Sequence, residues 1–191
     1  MTTEREEPAL GFLELSSISR GLFLTDLVIK KAPIRVLASQ PISGGKHILL
    51  YVGDVASVDE SHRAALSSAD GTIVREVLIP GVHRDLTPYL DSLWSTAPKR
   101  EPVGDAVAII ESSTLAACVI AADSALKAAD VSLCRMRLGQ GIGGKAYFVL
   151  TGRQEEVEAA VEAARARLES LESFVRTDII PRPDEMALEH F

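Results

Sequence analysis

No apolar run in this 191-residue chain approaches the roughly 20 residues needed to span a bilayer, which excludes a transmembrane helix. Nor is there a basic stripe. The net charge is −7 and the lysines and arginines are scattered, so no nucleic-acid partner is expected. Residues 1–8 are polar and acidic and do not read as a secretory signal, which makes a cytoplasmic location the default. The only two cysteines, Cys118 and Cys134, fit no zinc spacing and lie in apolar stretches, as small core residues do. Walker loops, dinucleotide fingerprints and metal-ligand clusters are also missing. The run from Gly139 to Gly144 is glycine-rich, but it opens no helix and would serve a nucleotide phosphate poorly. What is present is a globular composition, 47% hydrophobic and 25% charged.

The chain repeats itself. The stretch around Glu14 resembles the stretch around Glu111, and the same offset pairs Asp26 with Asp123, Lys30 with Lys127 and Ala32 with Ala129. After a small insertion, Gly44, Gly45 and Lys46 pair with Gly143, Gly144 and Lys145. Further on, Ile79 and Pro80 pair with Ile180 and Pro181. Residues 1–8 form an N-terminal tail, 9–90 a first domain, 91–105 a Pro- and Lys-containing linker and 106–191 a second domain.

Each copy carries the same succession of elements. An apolar strand spans 9–15, and Ser16 or Ser17 can cap a helix that runs to about Lys31 and stops at Pro33. Strands over 34–39 and 46–52 flank a glycine turn at 41–45 and read as a hairpin. Asp54 or Ser57 opens a second helix ended by Gly71, followed by a strand over 72–79 and a short helix near 85–90. In the second copy, Val157, Val161, Ala164 and Leu168 place one apolar face on a helix over 155–171. The order β-α-β-β-α-β predicts two tandem α+β, ferredoxin-like domains, each an antiparallel sheet with both helices on one face. At about 80 residues apiece, such domains have modest cores and favour association.

Several residue groups, taken together, resemble bacterial microcompartment shell domains. They are the strand around Glu14, the helix Asp123 to Val131, the turns Ser43-Gly44-Gly45 and Ile142-Gly143-Gly144, and the terminal Pro181-Arg182-Pro183. Because each copy begins with the Glu-containing strand, the order is similar to the unpermuted tandem class, as in propanediol-utilisation compartments. The resemblance implies a homotrimer whose six domains imitate a hexamer. It also implies tiling with hexameric and pentameric shell proteins, a central pore for metabolites, and a place in a microcompartment shell. Encapsulated enzymes are further candidate partners.

The same resemblance assigns residue roles. Ser43, Gly44, Gly45, Ile142, Gly143 and Gly144 are expected to line the pore, where glycine lets six backbones converge. A trimer would alternate three Ser43 hydroxyls with three Ile142 side chains. Some relatives carry cysteine at the Ser43 position, where three thiolates can hold an iron–sulfur cluster. Serine is a poor ligand, so no cofactor is expected here. Lys46 and Lys145 follow the turns and either favour anions or end strands in solvent. Lys30, Lys127 and Arg182 are expected at the edges between neighbouring discs, with Gly81 standing where Arg182 has its first-copy counterpart. The alternative for the lysines is favourable charge at a helix C-terminus. Glu14, Glu111, Asp26 and Asp123 read as structural acids, and His47 as a packing or surface residue, so no enzyme activity is expected. The alternative reading of the whole chain is a small-molecule sensor built of tandem ferredoxin-like domains.

Overall fold

The computed structural model describes residues 8–92, 104–184 and 187. The chain divides near Asp91 into two compact units. The first contains β1 (Ala9–Leu15), α1 (Ile18–Lys31), β2 (Arg35–Ile42), β3 (Lys46–Gly53), α2 (Val55–Ser68) and β4 (Ile73–Ile79), then a short helix α3 (Leu86–Ser92). The second contains β5 (Ala106–Ser112), α4 (Leu115–Ala128), β6 (Ser132–Leu138), β7 (Ala146–Gly152), α5 (Gln154–Ser170) and β8 (Phe174–Pro181). The strands run in the order β2-β3-β1-β4 in one sheet and β6-β7-β5-β8 in the other. All neighbours are antiparallel, which is the ferredoxin-like arrangement expected.

Local chemistry sets the element ends. Ser17 caps α1 by accepting from the Arg20 amide at 3.3 Å, and Asp54 caps α2 by accepting from the Ser57 amide at 2.9 Å. Ala9, Leu13 and Leu15 alternate onto the helix side of β1 and pack with Leu24, Val28, Val58 and Ala65. In the second unit, Val157, Val161, Ala164 and Leu168 form the buried face of α5.

The repeat extends to irregularities. The first sheet has register shifts at Val36/Ala38 and Glu14/Leu15, and the second has them at Leu133/Arg135 and Glu111/Ser112. Equivalent bulges in both copies show one backbone plan used twice. Cys118 is fully buried, as expected, whereas Cys134 is only half-buried beside the β6 bulge. The first hairpin turn is shorter than the glycine content of 41–45 suggested. Pro41 pairs with His47 inside β2, an edge strand, where a residue without an amide proton is tolerated.

Candidate functional site

Two glycine turns close the hairpins. In the first, Ile42 pairs with Lys46, leaving Ser43, Gly44 and Gly45 as the turn. In the second, Leu138 pairs with Ala146, and the Gly139 amide still donates to the Lys145 carbonyl at 3.0 Å. The loop there is therefore residues 140–144, two longer than its counterpart. Gly44, Gly45, Gly143 and Gly144 have φ of +80°, +72°, +65° and +83°. A Cβ on any of them would meet nothing within 4 Å, so within one chain it is the left-handed backbone that calls for glycine. An ordinary L-residue there costs roughly 1–2 kcal/mol. Ser43 and Ile142, at the heads of the two glycine pairs, are both half-buried.

The lysines after the turns differ. Lys46 Nζ lies 2.7 Å from Glu14 Oε1, and Glu14 is only 3% exposed. Lys46 is thus neither a free cation nor a solvated strand end, because it neutralises a buried carboxylate. Removing it would strip the buried carboxylate of its ion-pair partner and leave Arg75, its neighbour in register on β4, as the remaining cation beside it. Lys145, its equivalent, is exposed and has no ion-pair partner among the described residues. Glu111, the equivalent of Glu14, lies opposite Arg176 and helps raise the Arg176 pKa, after the larger effect of the Asp178 carboxylate.

Behind the first turn lies a polar core that sequence reasoning missed. His47 is fully buried; its Nε2 is 2.9 Å from Ser39 Oγ, which is 2.8 Å from Thr25 Oγ1. Gly21 sits against the imidazole so closely that a Cβ would lie 2.3 Å from Cδ2. A second chain joins Tyr51 Oη to His62 Nδ1 at 2.7 Å and His62 Nε2 to Glu76 Oε2 at 2.7 Å. In the second unit the equivalents are apolar or small: Cys118, Ala122, Met136 and Ala146 replace Gly21, Thr25, Ser39 and His47. Leu150, Val161 and Thr177 replace Tyr51, His62 and Glu76. The Thr177 hydroxyl is buried without a partner.

This difference makes the first unit acid-sensitive. Burial holds the His47 pKa below its ordinary 6.5, and its Nδ1 has no hydrogen-bond partner. Between the lowered folded pKa and 6.5 the unfolded chain binds more protons. Stability is therefore complete above about pH 6.5 and lost as the pH falls toward the folded value. Calorimetry between pH 7.5 and 5.5 should show a falling unfolding midpoint for the wild type and a flatter dependence for His47→Ala. Equal slopes would remove His47 from the account.

The edge candidates occupy the opposite end of each sheet. Antiparallel pairing sets Ser112 against Ala146 at the hairpin end and Ala106 against Pro181 at the other. The last turn of α4 holds Lys127 at that far end, and Arg182 follows Pro181 there. Lys127 Nζ is 2.7 Å from the largely buried Asp123, whereas Lys30 makes the same 2.7 Å pair with an exposed Asp26. Arg182 is exposed, has φ +49° and donates its amide to the Asp105 carbonyl at 2.7 Å. Turn candidates and edge candidates thus lie apart, separated by about seven residues of strand, roughly 23 Å.

An iron–sulfur cluster does not fit the donors present. Ser43 offers a hydroxyl, and neither turn holds a thiol. Cys118 is enclosed in α4, where burial pushes its thiol far above the usual range, and the Cys134 thiol rests 4.0 Å from the Ser132 carbonyl. Among the described residues no cluster of His, Cys, Asp or Glu could hold a metal ion, and no helix is long and apolar enough to cross a membrane.

The chain is thus a tandem of two α+β units built on one ferredoxin-like plan, each with a glycine turn closing its hairpin. The BMC domain matches residues 9–82 and again 106–183, and the chain belongs to that family with two copies of its domain. It is 36% identical over 177 residues to the bacterial microcompartment shell protein PduT of Citrobacter freundii, covering 93% of this chain and 94% of that protein. It is 25% identical over 187 residues to the carboxysome assembly protein CcmO of Synechococcus elongatus, covering 94% of this chain and 67% of that one. A microcompartment protein of Desulfitobacterium hafniense superposes with a TM-score of 0.88 at 31% identity, covering 95% and 98% of the two chains. The fused permuted hexameric shell protein of the RMM microcompartment shares the fold, with a TM-score of 0.65 at 22% identity and coverage of 86% and 85%.

Proposed function

We propose that this chain is a structural protein of a bacterial microcompartment shell, in which three copies close into a ring of six units. The observation that carries this reading is the duplicated shell domain, with equivalent bulges and equivalent glycine turns. Alike units favour alike contacts around a ring, and a heterologous contact that closes gives cyclic symmetry. Burial along the first helices supports it. Ile18, Leu22 and Ile29 share one exposed face of α1, with Phe23 exposed beside it, while their equivalents Leu115, Val119 and Leu126 on α4 are buried. Ring closure supplies the α1 face with cover from a neighbouring copy.

In that ring the turns around Ser43 and Ile142 line a central passage for metabolites. The far sheet ends, with Lys127 and Arg182 as the stronger edge and Lys30 as the weaker, meet hexameric shell proteins in the facet. Pentameric shell proteins and encapsulated enzymes are the further partners, and the location is the shell in the bacterial cytoplasm. The passage carries no iron–sulfur cluster, and the chain acts as wall and pore, not as a catalyst. Light scattering should give a native mass about three times the 20.5 kDa of one chain. A stable monomer or dimer would leave the passage without an axis and overturn the reading.

A further inference from the structure

We infer that His47 makes ring closure depend on pH, because a proton taken up by its imidazole displaces α1 and withdraws the exposed α1 face from the neighbouring copy. This inference rests on the trimeric reading above. The hydroxyl chain behind the first turn runs in one direction. Thr25 Oγ1 donates its single proton to the Gly21 carbonyl at 2.8 Å. At the 2.8 Å contact between Thr25 and Ser39, Ser39 is then the donor. With its proton spent, Ser39 Oγ accepts from His47 Nε2 at 2.9 Å. The neutral imidazole therefore carries its proton on Nε2, and Nδ1 is a bare lone pair, buried and without a partner. A second proton goes to Nδ1, where it creates a buried cation whose new donor meets no acceptor.

What gives way is α1, because the ring rests on it. An added Cβ on Gly21 would stand 2.3 Å from His47 Cδ2, 2.4 Å from Cγ and 2.8 Å from Cβ, and the polar chain ends on the carbonyl of that same residue. Gly21 lies on the buried side of α1, next to Leu22 of the exposed stripe. The charged and titratable groups of the surrounding elements are engaged elsewhere. On α1, Arg20 reaches Asp70 at 3.2 Å and lies over the Phe23 ring. Glu14 on β1 and Lys46 on β3 pair with each other on the opposite sheet face. On α2, His62 is held between Tyr51 and Glu76. Against His47 itself, β1 sets Leu15 and β2 sets Pro41 in register, so none of the described residues accepts from Nδ1. The second unit has no such group, since α4 carries Cys118 and β7 carries Ala146 at the two positions.

The sign follows from the proton counts. Burial holds the His47 pKa below its ordinary 6.5 in the closed ring. Once displaced into water the imidazole regains about that ordinary value. Between the two values the open form binds one more proton per chain, so closure is complete above about pH 6.5 and is lost as the pH falls. Three chains take up three protons, and the dissociation constant of the ring rises by up to about a thousandfold per pH unit in that window.

The test follows native mass by light scattering from pH 7.5 to about pH 5, with circular dichroism as the check on fold. The wild type should be trimeric at pH 7.5 and fall about threefold in mass on acidification, with its helix content retained. Its concentration dependence should report an uptake of about three protons per ring. His47→Ala combined with Ser39→Met copies Ala146 and Met136 of the second unit, and this variant should keep the trimer mass throughout. The control His83→Gln, beyond β4 at the other end of the first sheet, should behave as the wild type. A wild type that stays trimeric down to pH 5, or dissociates without proton uptake, overturns the inference whether or not the double variant folds. So does a folded double variant that dissociates over the wild-type range. A wild type that is not trimeric at pH 7.5 overturns the ring itself, and the mass at that pH tells the two failures apart.

Discussion

Leu22→Glu combined with Ile29→Glu is expected to reduce the native mass to that of a single chain while leaving the fold unchanged. The two side chains are 57% and 52% exposed in the isolated chain. They lie seven residues apart on one helix face, with Ile18 completing the stripe. Exposed helix substitutions of this kind change a chain's own stability by about 0.5 kcal/mol or less. In an interface the balance reverses. Burying one leucine or isoleucine side chain contributes roughly 1.5–3 kcal/mol, and a buried unpaired carboxylate costs several more. With two substitutions per chain and three contacts per ring, assembly should be lost outright at micromolar concentration. Light scattering reads the mass, and far-ultraviolet circular dichroism reads the fold. Val119→Glu makes the contrast, because Val119 holds the Leu22 position in α4 and is fully buried, so that change should unfold the chain. A double variant that stays trimeric would mean that this face of α1 has no part in closing the ring.

The same comparison of copies shows how much was legible beforehand. The fold was readable because its signals are local and occur twice: Ser17 and Asp54 at helix starts, Pro33 and Gly71 at helix ends, glycine at both turns. The turn candidates and the edge candidates could be named from their motifs, and the pairing register then placed them at opposite sheet ends. The partnership of Lys46 with Glu14 was harder to see. It joins residues 32 apart and depends on which sheet face each side chain takes. The Tyr51–His62–Glu76 chain was invisible for a similar reason, since three elements contribute one residue each and no spacing marks them. A signal did exist. Aligning the copies shows Thr25, Ser39 and His47 giving way together to Ala122, Met136 and Ala146. A concerted change from polar to apolar at three separated positions indicates that those positions touch. Both readings of Lys46, charge that favours anions and a solvated strand end, failed because a strand-end lysine looks alike in sequence whether or not a carboxylate stands diagonally across the sheet.

Arg182→Ala is expected to abolish extended sheets formed with a hexameric shell protein while leaving the native mass of the ring unchanged. The substitution is close to neutral for the backbone. Arg182 already holds φ +49°, alanine bears the same left-handed strain, and the amide bond to the Asp105 carbonyl at 2.7 Å needs no side chain. What disappears is an exposed guanidinium with five donors, three of them per ring, at the sheet end that also carries Lys127. The first-unit edge does not compensate, because Gly81 stands at the equivalent position and both side chains of the Lys30–Asp26 pair there are largely exposed. Exposed ion pairs of that kind contribute about 0–1 kcal/mol. Lattice growth multiplies a small loss at each contact by the number of contacts a disc must make, so a modest weakening per edge becomes an all-or-none change in sheet size. Negative-stain microscopy of mixtures with a hexameric partner reads the sheets, and light scattering reads the ring. The converse variant, Gly81→Arg, should enlarge the sheets or raise the salt concentration that dissolves them, since it supplies the missing guanidinium to the weaker edge. Sheets of normal extent from Arg182→Ala would show that the facet is held by other groups, and the inequality of the two edges would then have no consequence for assembly.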